Sequence, residues 1–248
     1  MIERAFLDAL DARAAAGRPA RFWLRDDDAA LPTPALDMLL DLTAPAGVPV
    51  ALAVIPARSG DALAVRLAGE ARVSVAVHGW AHLNHAGAAD KKQELGGHRP
   101  VAQVLGELAR GHVHLAGLHP GQFLPVLVPP WNRIDAAVIA GLQGIGFTAL
   151  SVFGPERSAP IPMINTHVDL MDWRGTGGAK PDAILWAEFL RAMGRDAPLG
   201  FLTHHLVHDA QAWAFLRKLF AVTANHPGCA WVGLPELVVG GGVQPAPH

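Results

Sequence analysis

Two histidines four residues apart, His78 and His82, and a run of three aspartates, Asp26-Asp27-Asp28, are the residues of this chain best suited to hold a metal ion. Side chains four apart on a helical turn share a face, so both imidazoles can reach one cation. One carboxylate from the aspartate run would complete a set of two nitrogens and one oxygen, with a position left for water, which is how catalytic zinc sites are built. Alone, a His-x-x-x-His spacing is a weak sign, because pairs of packed or solvent-facing histidines share it. The aspartates are harder to explain otherwise. Three consecutive carboxylates directly after Phe22-Trp23-Leu24-Arg25 repel one another, and at least one must face inward. A cation would relieve that repulsion. The plainer alternative is an exposed acidic turn, or a helix N-cap ahead of Leu31.

Short apolar runs alternate with helical patterns along the chain, as in βα units around a parallel sheet. Strands are expected at Arg21–Arg25, Val50–Ile55, Val73–Val77, Phe123–Val128, Phe147–Phe153, Asn165–Leu170, Leu199–Thr203 and Cys229–Val232. Thr33 and Pro34 open a helix carrying Leu36, Leu39 and Leu40. Val101–Ala109 and the stretches after Asp135, Asp182 and Asp209 read as helices too. Ionisable residues collect at the C-terminal ends of these strands: the aspartate run, His78 and His82, Asp169 and Asp172, and His204-His205. In parallel βα architectures that edge carries the active site. A βα barrel, complete or distorted, is therefore expected, with an open doubly wound sheet as the alternative. No Gly-x-Gly-x-x-Gly follows a strand, no P-loop is present, and no repeat recurs at a fixed period.

Other polar residues take plainer readings. His112, His114 and His119 lie near a helix end and a Pro-Gly turn. His85 and His98 flank Asp90-Lys91-Lys92-Gln93-Glu94, a charged stretch expected at the surface, and His208 lies where the chain leaves a strand. Cys229 reads as a core residue, with no base nearby in sequence.

The 248 residues suffice for one domain, 1–248, with an N-terminal helix within 1–20 and a loose tail at 240–248. With 51% apolar and 17% charged residues the composition is that of a folded globular chain. A net charge of −2 disfavours nucleic acid and anionic membrane as partners. A single cysteine excludes an internal disulfide and a cysteine-based zinc site. Acidic residues interrupt the N-terminal apolar runs, so no signal peptide is read there, and no window approaches the roughly 20 apolar residues of a membrane span. A cytoplasmic location is the expectation.

Over roughly Phe22 to Leu206 the chain resembles the polysaccharide deacetylases of carbohydrate esterase family 4, the NodB-homology group. That family carries five motifs in order, each with a counterpart here. Thr-Phe-Asp-Asp-Gly corresponds to Asp26-Asp27-Asp28-Ala29 after Arg25. His-x-x-x-His corresponds to His78–His82, and Arg-x-Pro-Tyr/Trp to Val128-Pro129-Pro130-Trp131. Asp-Trp corresponds to Asp169-Leu170-Met171-Asp172-Trp173, and Leu-x-His to Leu202-Thr203-His204.

The resemblance implies an α/β fold, a distorted (β/α)7 barrel, and a divalent metal, usually zinc, on Asp28, His78 and His82. It implies Asp27 as catalytic base, His204 as catalytic acid, Asp169 as the group that orients that histidine, and Pro130, Trp131, Trp173 and Leu202 as substrate pocket. Two departures stand out. Val128 replaces the arginine that supports the base, so Arg25 or Arg133 must substitute. Ala29 replaces the motif's glycine, and with three aspartates the register can shift by one, making Asp26 the base and Asp27 the ligand. Asp27 and Asp28 are preferred because the chain is expected to turn there. The implied reaction is hydrolysis of an acyl group, N-acetyl above all, on a carbohydrate or related small molecule. A C–N hydrolase on a non-sugar amide and an inactive sugar-binding relative are the alternatives.

Overall fold

The computed structural model describes residues 1–195 and 197–240, and the expected loose tail from 241 onward lies outside them; Gly240 itself ends the last helix. The aspartate-bearing segment is the first strand, β1 (Ala20–Ala29), which pairs with three others. Around it lie β2 (Val50–Val54), β3 (Val73–His78), β4 (Phe123–Val128), β5 (Ala149–Leu150), β6 (Val168–Asp169), β7 (Leu199–Thr203) and β8 (Cys229–Trp231). Every strand pair is parallel, in the order β5-β4-β3-β2-β1-β7-β6, with β8 pairing the first residues of β1.

That order climbs from β1 to β5 without a reversal and returns through β6 and β7 to β1. It is the order of a barrel with one seam left unpaired, between β5 and β6. Isolated bridges from Leu150 to Met163 and from Phe153 to Thr166 span the seam instead. The distorted (β/α)7 barrel is thus the observed architecture. A doubly wound sheet would reverse its strand order at a switch point, and none occurs here.

Strands β2 and β3 are buried at every position, Ser74 and His78 of β3 included, as strands must be when side chains fill the inside and helices cover the outside. The helices are α1 (Ile2–Ala15), α2 (Pro34–Thr43), α3 (Asp61–Leu67), α4 (Val101–Leu118), α5 (Ala136–Gly141), α6 (Asp182–Ala192), α7 (Ala210–Thr223) and α8 (Leu234–Gly240). Side-chain caps set three of their starts: Thr33 accepts from the Leu36 amide at 3.1 Å, Asp135 from Ala137 at 2.8 Å and Asp209 from Ala212 at 2.7 Å. Phe6 of α1 joins Phe22, Trp186 and Phe189 in an aromatic cluster with ring centroids 4.9–6.5 Å apart, fastening α1 and α6 over the base of β1. Among the described residues no helix is long and apolar enough to cross a membrane.

Several boundaries differ from expectation for identifiable reasons. The first strand does not stop at Arg25 but runs through all three aspartates, because β2 and β7 pair with it on both sides. The helix from Val101 continues to Leu118 and so carries His112 and His114. Strands β5 and β6 shrink to two residues each, since both flank the seam and lack a neighbour there. The charged stretch at 90–94 is not wholly surface: Glu94 is 1% exposed.

Cys229 sits in β8 against the core, and burial pushes its thiol up to about 12. At pH 8 the thiolate fraction would then be about 10⁻⁴, against roughly a quarter for an unperturbed thiol. An aromatic disulfide reagent should label the native protein at least about 100-fold more slowly than the protein unfolded in denaturant. Equal labelling rates would show an accessible, reactive cysteine instead.

Candidate active site

Strand alternation distributes the aspartates. Arg25 and Asp27 share one face of β1, and Asp26 takes the other. A regular strand would send Asp28 to the side opposite Asp27. The pairing of β1 with β2 slips between Asp26 and Ala29, and Asp28 has φ +74, a left-handed conformation that aspartate tolerates better than most residues. This bulge is the form taken by the expected turn. It brings consecutive carboxylates into one site, Asp27 towards His204 and Asp28 towards His78 and His82.

His78 ends β3, and its Nδ1 donates to the Val128 carbonyl at 2.9 Å, which turns Nε2 towards Asp28. This is the outer partner a ligating imidazole needs to hold its tautomer. One oxygen of Asp28 lies 3.1 Å from His78 Nε2 and 3.2 Å from His82 Nε2, and the three ligand atoms lie within 4.8 Å of one another. Burial works against the charge of Asp28, but the hydrogen bond from His78 and the charges of His78, His204 and His82 outweigh it and hold the carboxyl well below its ordinary range. Burial pushes the pKa of His82 down, and the neighbouring His78 charge pushes it further. His78 is also opposed by burial, yet the Asp28 hydrogen bond and the charges of Asp27 and Asp28 raise it. An ionised carboxylate and two converging imidazoles suit a divalent cation such as zinc.

Asp27 lies beside this set but belongs to a different network. Arg25, 1% exposed, approaches it side-on, with Nε 2.9 Å from Oδ1 and Nη2 3.0 Å from Oδ2. Arg25 also donates to Ser151 Oγ and to Asn132 Oδ1, each at 2.8 Å. Of the two arginines expected to substitute at Val128, Arg25 is therefore the one on Asp27; Arg133 instead donates to the Lys92 carbonyl. His204 Nε2 stands 3.9 Å from Asp27 Oδ2, too far for a direct hydrogen bond.

Asp169 does not hydrogen-bond His204. Its oxygens accept from the Met171 amide at 3.0 Å and from Trp173 Nε1 at 2.9 Å, and the Trp173 ring packs edge-on against His204 with centroids 4.7 Å apart. Burial raises the pKa of Asp169, while the His204 charge draws it back. His204 Nδ1 is buried and has no hydrogen-bond partner among the described residues. Trp131, at φ +55, sets its ring 4.3 Å from His82. Pro130 and Leu202 are both buried, Leu202 in β7 opposite Arg25 and Asp169.

The alternative register, with Asp26 as base, meets a different environment. Asp26 faces away from the triad, fully buried, and accepts from Thr203 Oγ1 at 2.7 Å, the His205 amide at 2.9 Å and His205 Nδ1. Burial opposes charge on both groups, but their mutual attraction lowers the pKa of Asp26 and raises that of His205. That geometry assigns Asp26 to a buried ion pair, away from Asp27 and Asp28. Asn132, Ser151 and Glu94 went unforeseen; only His205 carried a signal, its adjacency to His204 at a strand end.

No family model and no curated protein sequence matches the chain. Solved structures do. A candidate polysaccharide deacetylase from Mycobacterium smegmatis superposes with a TM-score of 0.70 at 16% identity, over 90% of each chain. An acetyl xylan esterase of family 4 from Clostridium thermocellum, in complex with a cobalt ion, has a TM-score of 0.57 at 16% identity, over 90% of this chain and 93% of its own. A family 4 carbohydrate esterase from Streptomyces lividans, in complex with acetate, has a TM-score of 0.55 at 17% identity, over 85% of this chain and 91% of its own. The chain therefore has the fold of the family 4 carbohydrate esterases and polysaccharide deacetylases.

Proposed function

We propose that the chain is a metal-dependent deacetylase of the family 4 type, hydrolysing an acyl group, N-acetyl above all, on a carbohydrate or related small molecule. The single observation that carries this reading is the meeting of Asp28, His78 and His82 within 4.8 Å, with Asp27 and His204 alongside them. A cation bound to that triad supplies Lewis acidity, polarising an acyl carbonyl and acidifying water. Asp27, fixed by Arg25, is placed to accept the proton of the attacking water. His204, braced by Trp173, is placed to donate a proton to the leaving amine or hydroxyl. Trp131 and Trp173 stand next to His82 and His204, where they could contact the substrate. The carbohydrate esterases of similar fold support a sugar-borne acyl group as the substrate class.

Acetate release from N-acetylated sugars by the metal-loaded protein, before and after chelation, tests the reading. Activity should fall to background with chelator and return on adding zinc or cobalt. His82→Ala should bind metal at least about 100-fold more weakly, because two protein ligands rarely retain a divalent ion against solvent. Full occupancy in that variant would count against the ligand set, and chelator-resistant turnover against the mechanism.

A further inference from the structure

Glu94 stands outside every motif considered above. It lies in a stretch whose composition belongs on a surface, yet it is 1% exposed and pairs with no cation among the described residues. Its carboxylate accepts from two successive amides of the loop between the metal-binding histidines, Ala81 at 2.7 Å and Trp80 at 3.2 Å. Successive backbone N–H groups in a bent loop form a concave nest for an anion, and here a side chain of the protein fills it. The contact is intimate: a Cβ at Gly79, which has φ +61, would stand 2.1 Å from Glu94 Oε2 and 2.7 Å from the Pro130 ring.

The loop needs such a brace. His82 has φ +58, a strained conformation for a non-glycine residue that persists only when its surroundings enforce it. Glu94 is itself anchored. Arg99 Nη2 donates to its carbonyl at 3.1 Å while Nη1 grips both oxygens of Glu107 on α4, at 3.0 and 2.8 Å. The adjacent Leu95 bridges Ile134, and its carbonyl accepts from the Asp135 amide at 2.9 Å, which ties the brace to the loop bearing Trp131.

We propose that Glu94 is a positioning residue for the metal centre: by filling the Trp80–Ala81 amide nest it holds His82 aimed at the point shared with His78 and Asp28. The proposal rests on the metal-site reading above, and the experiment separates the two. Metal-free protein is titrated with cobalt(II), following both affinity, by chelator competition, and the visible spectrum, which reports coordination geometry. Glu94→Ala should bind about 10–100-fold more weakly, the loss usual for an outer partner of a metal ligand, and with an altered spectrum. Glu94→Gln offers one acceptor oxygen instead of two and should fall between Ala and wild type. Thermal unfolding of each metal-free variant gives the stability change separately. A fall in stability with wild-type affinity and spectrum in Glu94→Ala would overturn the proposal by making Glu94 merely structural. Should the alanine variant not fold, Glu94→Gln decides: weaker binding with an altered spectrum supports positioning, and unchanged values overturn it. Wild-type protein that takes up no cobalt would overturn the metal-site reading itself.

Discussion

Asparagine at Asp27 is expected to lower kcat by about 10²–10⁴, the range for loss of a general base, while metal content stays at the wild-type level. The substitution is nearly isosteric and keeps an oxygen towards Arg25, which approaches both carboxylate oxygens at 2.9 and 3.0 Å. It removes the proton acceptor without touching Asp28, His78 or His82, the three residues whose ligand atoms converge. Activity assays paired with metal analysis separate the roles. If Asp27→Asn also lost its metal, Asp27 would be a ligand and the register of the aspartate run would have to move by one. Asp26 is poorly placed to take over as base, because its oxygens already accept from Thr203 and His205 in a fully buried pocket.

Alanine at Arg25 should produce the largest loss of stability. The guanidinium is 1% exposed and bonds Asp27, Ser151 and Asn132, so it joins β1 to the loops after β4 and β5. Removing one member of a buried ion pair leaves the other charge uncompensated, at a cost of about 3–5 kcal/mol. For a chain of this size that corresponds to a fall in Tm of about 6–20 °C. Lysine keeps the charge but not the planar fork that meets a carboxylate side-on, and should recover only part of the loss. Arg133, whose one side-chain hydrogen bond reaches the Lys92 carbonyl, supplies the contrast: Arg133→Ala should change stability by less than about 1 kcal/mol. Denaturant midpoints for the two alanine variants check both statements, and equal shifts would contradict the bracing role of Arg25.

How far the sequence discloses this molecule depends on whether a feature is local. The runs Val50–Val54 and Val73–His78 are legible because a strand buried on both faces is apolar at nearly every position, Ser74 and the terminal His78 being the exceptions. Thr33, Asp135 and Asp209 announce helix starts because a cap acts within three residues. The triad is legible for a related reason: His78 and His82 are close in sequence, and strand ends bring the aspartate run to the same edge. The supports of the site are a different matter. Arg25 meets Asn132 and Ser151 across 107 and 126 residues of chain, and nothing local to any of them marks the meeting. The positive φ at Asp28 arises from a register slip between β1 and β2, which no property of an aspartate run discloses. Glu94 misleads outright, because its neighbours Asp90, Lys91 and Lys92 are exposed and only its contact with two distant amides draws it inside. The two-residue strands β5 and β6 follow from the unpaired seam, a property of the closed topology and not of either segment.

The most direct measurement is anomalous diffraction from crystals grown with zinc or cobalt, with data collected at the edge of the metal used. One strong peak should lie about 2.0–2.2 Å from an oxygen of Asp28 and from the Nε2 atoms of His78 and His82. Density showing those three side chains turned to separate surroundings, or a metal peak elsewhere and none among them, would contradict the account.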